Sequence, residues 1–70
     1  MQRSKVQSSN VASIGYDAAS RILEVEFLNG TVYDYFDVPQ AIYTGIMGAA
    51  SHGSYLAQFV KGKFKYKQIL

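Results

Sequence analysis

The stretch from Leu23 to Tyr35, LEVEFLNGTVYDY, constrains this chain more than any other. Leu23, Val25 and Phe27 alternate with Glu24 and Glu26, the period of a strand buried on one face, and the Asn29-Gly30 pair supplies the positive φ of a hairpin turn. Two registers are open to it. A two-residue loop pairs Leu28 with Thr31 and sets Asp34 opposite Val25, burying an unpaired carboxylate among apolar side chains, which is costly. A three-residue loop, with Leu28 and Asn29 in a type I turn and Gly30 as an αL bulge, pairs Phe27 with Thr31, Val25 with Tyr33 and Leu23 with Tyr35. It opposes Glu24 to Asp34 on an exposed face, at roughly 0.2–1 kcal/mol. The bulged register is therefore expected, with both tyrosines on the apolar side.

Around this hairpin the remaining elements fall into place. Residues 1–10 are polar and without apolar period, so a loose arm is expected, ordered from near Val6 or Val11. Val11 to Tyr16 reads as a strand, and Asp17-Ala18-Ala19-Ser20 as a turn held by the aspartate, which pairs Tyr16 with Arg21, Ile14 with Leu23 and Ala12 with Val25. After Phe36, Asp37 or Val38 caps a helix with Pro39 in its first turn, running to about Met47 with Ile42 and Ile46 on its apolar stripe. Gly45 and Gly48 each weaken it by about 1 kcal/mol relative to alanine. Ser51 caps a second helix with Tyr55, Leu56, Phe59 and Val60 along one stripe, and Gly62 ends it. Lys63 to Leu70 reads as a short edge strand or an extended tail.

The 70 residues make one domain that buries only about 60% of its unfolded surface and is marginally stable without help. Cysteine is absent, which removes disulfides, thiolate metal sites and thiol nucleophiles. No apolar run has the length of a membrane span and MQRSKVQSSN lacks the apolar centre of a signal peptide, so a cytoplasmic location is expected. The net charge of +2 is mild but sorted: all five acids lie between Asp17 and Asp37, and four of the seven bases between Lys61 and Lys67.

Read together, these residues resemble the KTSC domain, a family named for the C-terminal extension of some lysyl-tRNA synthetases and found also as small stand-alone bacterial and phage proteins. The resemblance spans nearly the whole chain. It rests on Val6, Ser8 and Ser9; on Ile14, Gly15, Tyr16 and Asp17; and on Leu23, Val25, Phe27 and Gly30. It continues in the YxY of Tyr33 and Tyr35 with Val38 and Pro39, and in Tyr43, Ala50, Ser51, Gly53 and Tyr55. It implies no established activity; attachment to a synthetase points to RNA, by analogy.

The candidate residues divide by what their positions allow. Tyr33 and Tyr35 have the chemistry of a stacking platform for unpaired bases, but the bulged register turns them to the helix-covered face, where a core role is expected. Gly30, Pro39, Ser51, Gly53 and Tyr55 are read as structural. In an extended chain Lys61, Lys63, Lys65 and Lys67 point one way and Phe64 and Tyr66 the other, bases interleaved with aromatics as suits a single strand of nucleic acid. The competing reading is that the lysines guard an edge strand or neutralise the acidic face. His52 stands alone in a helical first turn, a poor metal ligand or base. Ser8, Ser9 and Ser51 lack a base and its orienter, and Glu24 and Glu26 lie side by side on one strand with no environment for a hydrolytic dyad.

The expectation is thus an α+β fold, a three-stranded antiparallel meander covered on one face by two short helices, with an optional C-terminal edge strand. The function expected is a non-catalytic binding module without metal or cofactor. RNA or single-stranded nucleic acid is the leading partner; the alternative is protein interaction or dimerisation through Val32, Phe36 and the sheet edge. Placing Gly30 in αL makes one measurement decisive: Gly30→Val should cost more than about 1 kcal/mol in urea unfolding, whereas Gly30→Asn should be better tolerated. Equal stability of the two variants would mean a turn of another kind.

Overall fold

The central hairpin takes the bulged register. Leu23 faces Tyr35, Glu24 faces Asp34 and Val25 faces Tyr33. The Phe27 amide donates to the Thr31 carbonyl and the Gly30 amide to the Phe27 carbonyl, both at 2.9 Å, with Gly30 at φ 92°. Asn29 Oδ1 closes the turn by accepting from the Thr31 amide at 3.1 Å and the Thr31 hydroxyl at 2.7 Å.

The computed structural model describes all 70 residues. Its elements are β1 (Ser4–Lys5), β2 (Val11–Asp17), β3 (Ile22–Phe27), β4 (Val32–Tyr35), α1 (Gln40–Gly48), α2 (His52–Phe59) and β5 (Tyr66–Gln68). The strands form one antiparallel sheet in the order β1-β2-β3-β4-β5. The α+β class stands, and the sheet gains two strands beyond the meander. One is the C-terminal edge strand. The other comes from the segment expected to be a loose arm: Ser4 pairs with Ile14 and Lys5 with Ser13.

The β2–β3 register differs from expectation by two residues. Tyr16 pairs with Leu23, Ile14 with Val25 and Asp17 with Ile22. The turn is longer because Arg21 takes φ 57°, a conformation seldom adopted by a long side chain, while Asp17 accepts from the Ala19 amide and the Ser20 hydroxyl. That hydroxyl holds the Asp17 carboxyl below its ordinary range. A slip of two preserves faces, so Ile14 still points inward. A bulge between Val11 and Ser13 then turns Val11 inward as well, opposite Phe27.

The inner face of β2, β3 and β4 packs on the helices. Val11, Ile14, Leu23, Val25 and Tyr35 meet Val38, Ile46, Leu56 and Val60 in a single core. Full burial of an aliphatic side chain is worth about 1.5–3 kcal/mol, enough to hold two short helices of weak propensity. Tyr16 stacks on Tyr43 with ring centroids 5.3 Å apart and donates its hydroxyl to the Val38 carbonyl, fixing the start of α1 to β2. Asp37 does not cap α1: it sits at φ 57°, and extended Pro39 occupies the capping position without a side-chain bond. The reason is upstream, where the Val38 amide is committed to the Arg21 carbonyl at 2.9 Å and its backbone is held extended before proline.

Ser51 caps α2 as expected, accepting from the Ser54 amide. Gly62 takes φ 77° just beyond the helix. Phe59 departs from the expected stripe: it is 42% exposed and packs tilted against Tyr55, ring centroids 4.5 Å apart, off the core. His52 donates its Nδ1 hydrogen to the Ile46 carbonyl at 2.8 Å, tying α2 to the end of α1.

Gly45 has a packing reason that its sequence context hides. A β-carbon there would occupy the space of the Tyr55 hydroxyl group. Gly45→Ala, which helix propensity alone makes favourable by about 1 kcal/mol, should instead lower stability by about 1–3 kcal/mol through overpacking. Thermal unfolding checks this, and a gain in melting temperature would refute the close approach of the two helices.

Candidate functional site

The helices cover the β2–β3 side of the sheet and leave the inner face of β4 and β5 partly open. An aromatic groove of about 740 Å³ remains there, floored by Phe27, Tyr33, Tyr35 and Tyr66. Tyr33 meets Phe27 edge to face at 5.7 Å, lies near-parallel to Tyr35 at 6.4 Å and contacts Tyr66 at 5.7 Å. These pairs hold the rings as one surface. Tyr35 is 4% exposed and belongs to the core, and burial pushes its phenol up. Tyr33 is only half-buried, its hydroxyl donating to Gln68 Oε1 at 3.1 Å, while Tyr66 is 62% exposed. The tyrosine pair is therefore split: Tyr35 takes the expected core role and Tyr33 shows part of its ring to the groove.

Lys61 stands at the rim, its Nζ 5.1 Å from the centre of the Phe27 ring, and makes no salt bridge. At the β3–β4 turn, which begins directly after Phe27, the groove is polar. The Leu28 amide donates to the Asn10 carbonyl at 2.9 Å, which brings Ser9 and Asn10 beside Asn29 and Thr31. No carboxylate lines the groove.

The four C-terminal lysines do not form the expected row. The chain turns through Lys61 to Lys63 and becomes a strand only at Tyr66, so Lys61 lies over the groove while Lys67 is registered opposite Asp34 on the outer face. Phe64 is drawn half-buried against the core. The structure joins Tyr66 and Lys61 with Tyr33, with Phe27 and Asn29 of the central hairpin and with Asn10, which no local pattern marks. Only the Asn10–Leu28 hydrogen bond and the return of the chain after α2 bring them together.

The outer face was expected to be an exposed acidic surface. It is instead covered in part by the N-terminal strand. Arg3 reaches across β1 and β2, donating Nε to Ser13 Oγ at 3.0 Å and Nη1 to Glu24, with Glu26 at 4.0 Å. Ser13 Oγ in turn donates to Glu26 Oε1 at 2.8 Å. Glu24 is only 9% exposed, and Val32, expected to be exposed, is 2%. Asp34 Oδ1 is buried without a hydrogen-bond partner. Burial, then the hydrogen bonding and charge of Glu24, push the Asp34 carboxyl up to about 6 against the pull of Arg3.

No helix is long and apolar enough to cross a membrane. The KTSC domain family model matches residues 7–64. A lysine–tRNA ligase of Trichormus variabilis is 38% identical over 65 residues; the match takes in 93% of this chain and 12% of the ligase. The chain thus spans about an eighth of the ligases it matches. An uncharacterised protein of Stutzerimonas stutzeri is 39% identical over 99% of both chains. The crystal structure of a KTSC domain protein from Yersinia pestis superposes with a TM-score of 0.93 at 40% identity, over 99% of this chain and 97% of that one.

The acid pair on the outer face has a measurable consequence. Because Asp34 titrates near 6 in the folded chain against an ordinary 3.8, folding favours its protonated form. Its contribution to stability is fully present below the lower value and lost as pH rises through the upper one. Asp34→Asn should remove this dependence and be more stable than the parent above about pH 6. Urea midpoints measured across that range check it; matching pH profiles for parent and variant would refute it.

Proposed function

This chain belongs to the KTSC domain family, and we propose that it is a non-catalytic module that binds single-stranded RNA or related single-stranded nucleic acid through the aromatic groove of β4 and β5. The observation that carries this reading is the pairing of open rings packed on one another with an uncommitted ammonium: Tyr66 and Tyr33 offer π-faces to bases, and Lys61 at the rim suits a phosphate. The acids lie on the other face of the sheet or in turns away from the groove, so a backbone following it meets no carboxylate in its lining. Lys63 and Lys65 are exposed on the segment between Lys61 and β5 and add positive charge to it. The lysine–tRNA ligases that share the domain are themselves proteins acting on an RNA, which accords with this choice of partner.

One observation favours a second reading, a protein or homodimer contact. β5 is an edge strand three residues long, with Tyr66 exposed on it and Ile69 and Leu70 exposed just beyond it. Such an edge can accept another strand.

Fluorescence anisotropy with a labelled single-stranded RNA, repeated at rising salt, separates the two. Under the nucleic-acid reading, Tyr66→Ala loses about 1–3 kcal/mol of binding. Lys61→Gln flattens the salt slope by about 0.7, and changing Lys63 and Lys65 together to Gln flattens it by up to about that much for each phosphate no longer neutralised. Full affinity in Tyr66→Ala would defeat the groove as the site. A parent protein that ignores the RNA but self-associates on gel filtration would favour the edge-strand reading instead.

A further inference from the structure

Resting on the nucleic-acid reading above, we infer that the groove is a site for one nucleotide: it seats a single unpaired base against Tyr66 and the open part of Tyr33, with the phosphate of that same nucleotide at Lys61. A free nucleotide and one nucleotide of a strand present this same chemistry. The inference comes from counting what the groove offers. Four rings line it, but they are not equally free. Tyr35 is 4% exposed and spent in the core. Phe27 is half-buried, meets Tyr33 edge to face and carries the Lys61 ammonium over its ring, 5.1 Å from the centre. That leaves Tyr66, 62% exposed, and the half-buried Tyr33 beside it at 5.7 Å, the two planes inclined at 48°. Rings so inclined do not make one flat platform for two bases side by side; together they form a corner for one.

The charges give the same count. Lys61 is the one basic side chain in the lining, and Ser9, Asn10, Leu28, Asn29 and Thr31 at the turn end bring neither ring nor charge. Steps of 5.1 Å from the ammonium to Phe27 and 5.7 Å from Phe27 to Tyr33 separate cation from seat, within the reach of one nucleotide's base and phosphate. The groove volume of about 740 Å³ falls among small-ligand sites, roughly 300–1,000 Å³. Lys63 and Lys65 are exposed and lie outside the lining, so they attract a longer strand without seating more of it.

The test uses the double variant Lys63→Gln, Lys65→Gln, which removes the charge that only longer probes would meet. Uridine 5′-monophosphate and oligouridylates of two, four and eight residues compete with a labelled octauridylate. The monophosphate should displace the label completely, and affinity should rise only with the number of nucleotides able to take the seat, to about eightfold for the octamer. A second stacked base would instead add about 5–150-fold at one step. Tyr66→Ala should weaken the monophosphate and the octamer by the same factor, and Lys61→Gln should remove most of the preference for uridine monophosphate over uridine. A gain of about fivefold or more at any step of the series, or an octamer that binds and is not displaced by the monophosphate, would overturn the inference and leave nucleic-acid binding standing. An octamer that does not bind the parent protein would overturn the binding reading itself, and this inference with it.

Discussion

The αL bulge at Gly30 is the constraint on which the rest of the structure depends. It moves β4 by one residue relative to the register of a two-residue loop, and a shift of one exchanges the two faces of a strand. Tyr33 and Tyr35 consequently lie inward beside Leu23, Val25 and Phe27, and Asp34 outward beside Glu24. The aromatic groove and the acidic outer face are two sides of that one choice. With the other loop, the groove would lose its floor and the core would take in a carboxylate.

Two short helices cannot cover a five-stranded sheet, and their limited reach makes the groove. Ile46, Leu56 and Val60 bury the centre of the inner face, and Tyr55 against Gly45 brings α1 and α2 close enough to do so as a pair. Beyond them the chain turns at Gly62 and returns as β5, laying Tyr66 beside Tyr33 and Tyr35. The rings there pack on one another and leave one side open. Aromatic surface of this kind gains stability from its own edge-to-face and offset contacts, so it persists without a covering helix.

On the outer face, β1 does for the acids what the helices do for the apolar side chains. Arg3 and Ser13 engage Glu24 and Glu26, and Gly15 makes room for the crossing, since a β-carbon there would stand 2.6 Å from the Gln2 carbonyl oxygen. The guanidinium fork suits two neighbouring carboxylates better than a lysine would. Asp34 lies beyond its hydrogen-bonding reach, next to Glu24 and with one oxygen buried unpaired, and the raised titration of that group follows.

Much of this was legible in the sequence because it depends on local periodicity and turn chemistry. The alternation of Leu23 to Phe27, the Asn29-Gly30 turn, the Ser51 cap and the Gly62 stop each act within a few residues, and the family resemblance includes Leu23, Val25, Phe27, Gly30 and Ser51 among its positions. The β2–β3 register was not legible, because it turns on Arg21 adopting a backbone conformation for which a long side chain has no preference. Nor was the pairing of β1, since a two-residue polar strand carries no periodic signal and is held by Arg3 on acids far along the chain. The groove also belongs to tertiary structure alone. Asn10, Phe27 and the pair Lys61 and Tyr66 lie far apart in sequence and meet only where β2, β3, β5 and the end of α2 converge. Local residues determined which face each side chain takes; long-range packing decided which parts of those faces stay open to solvent.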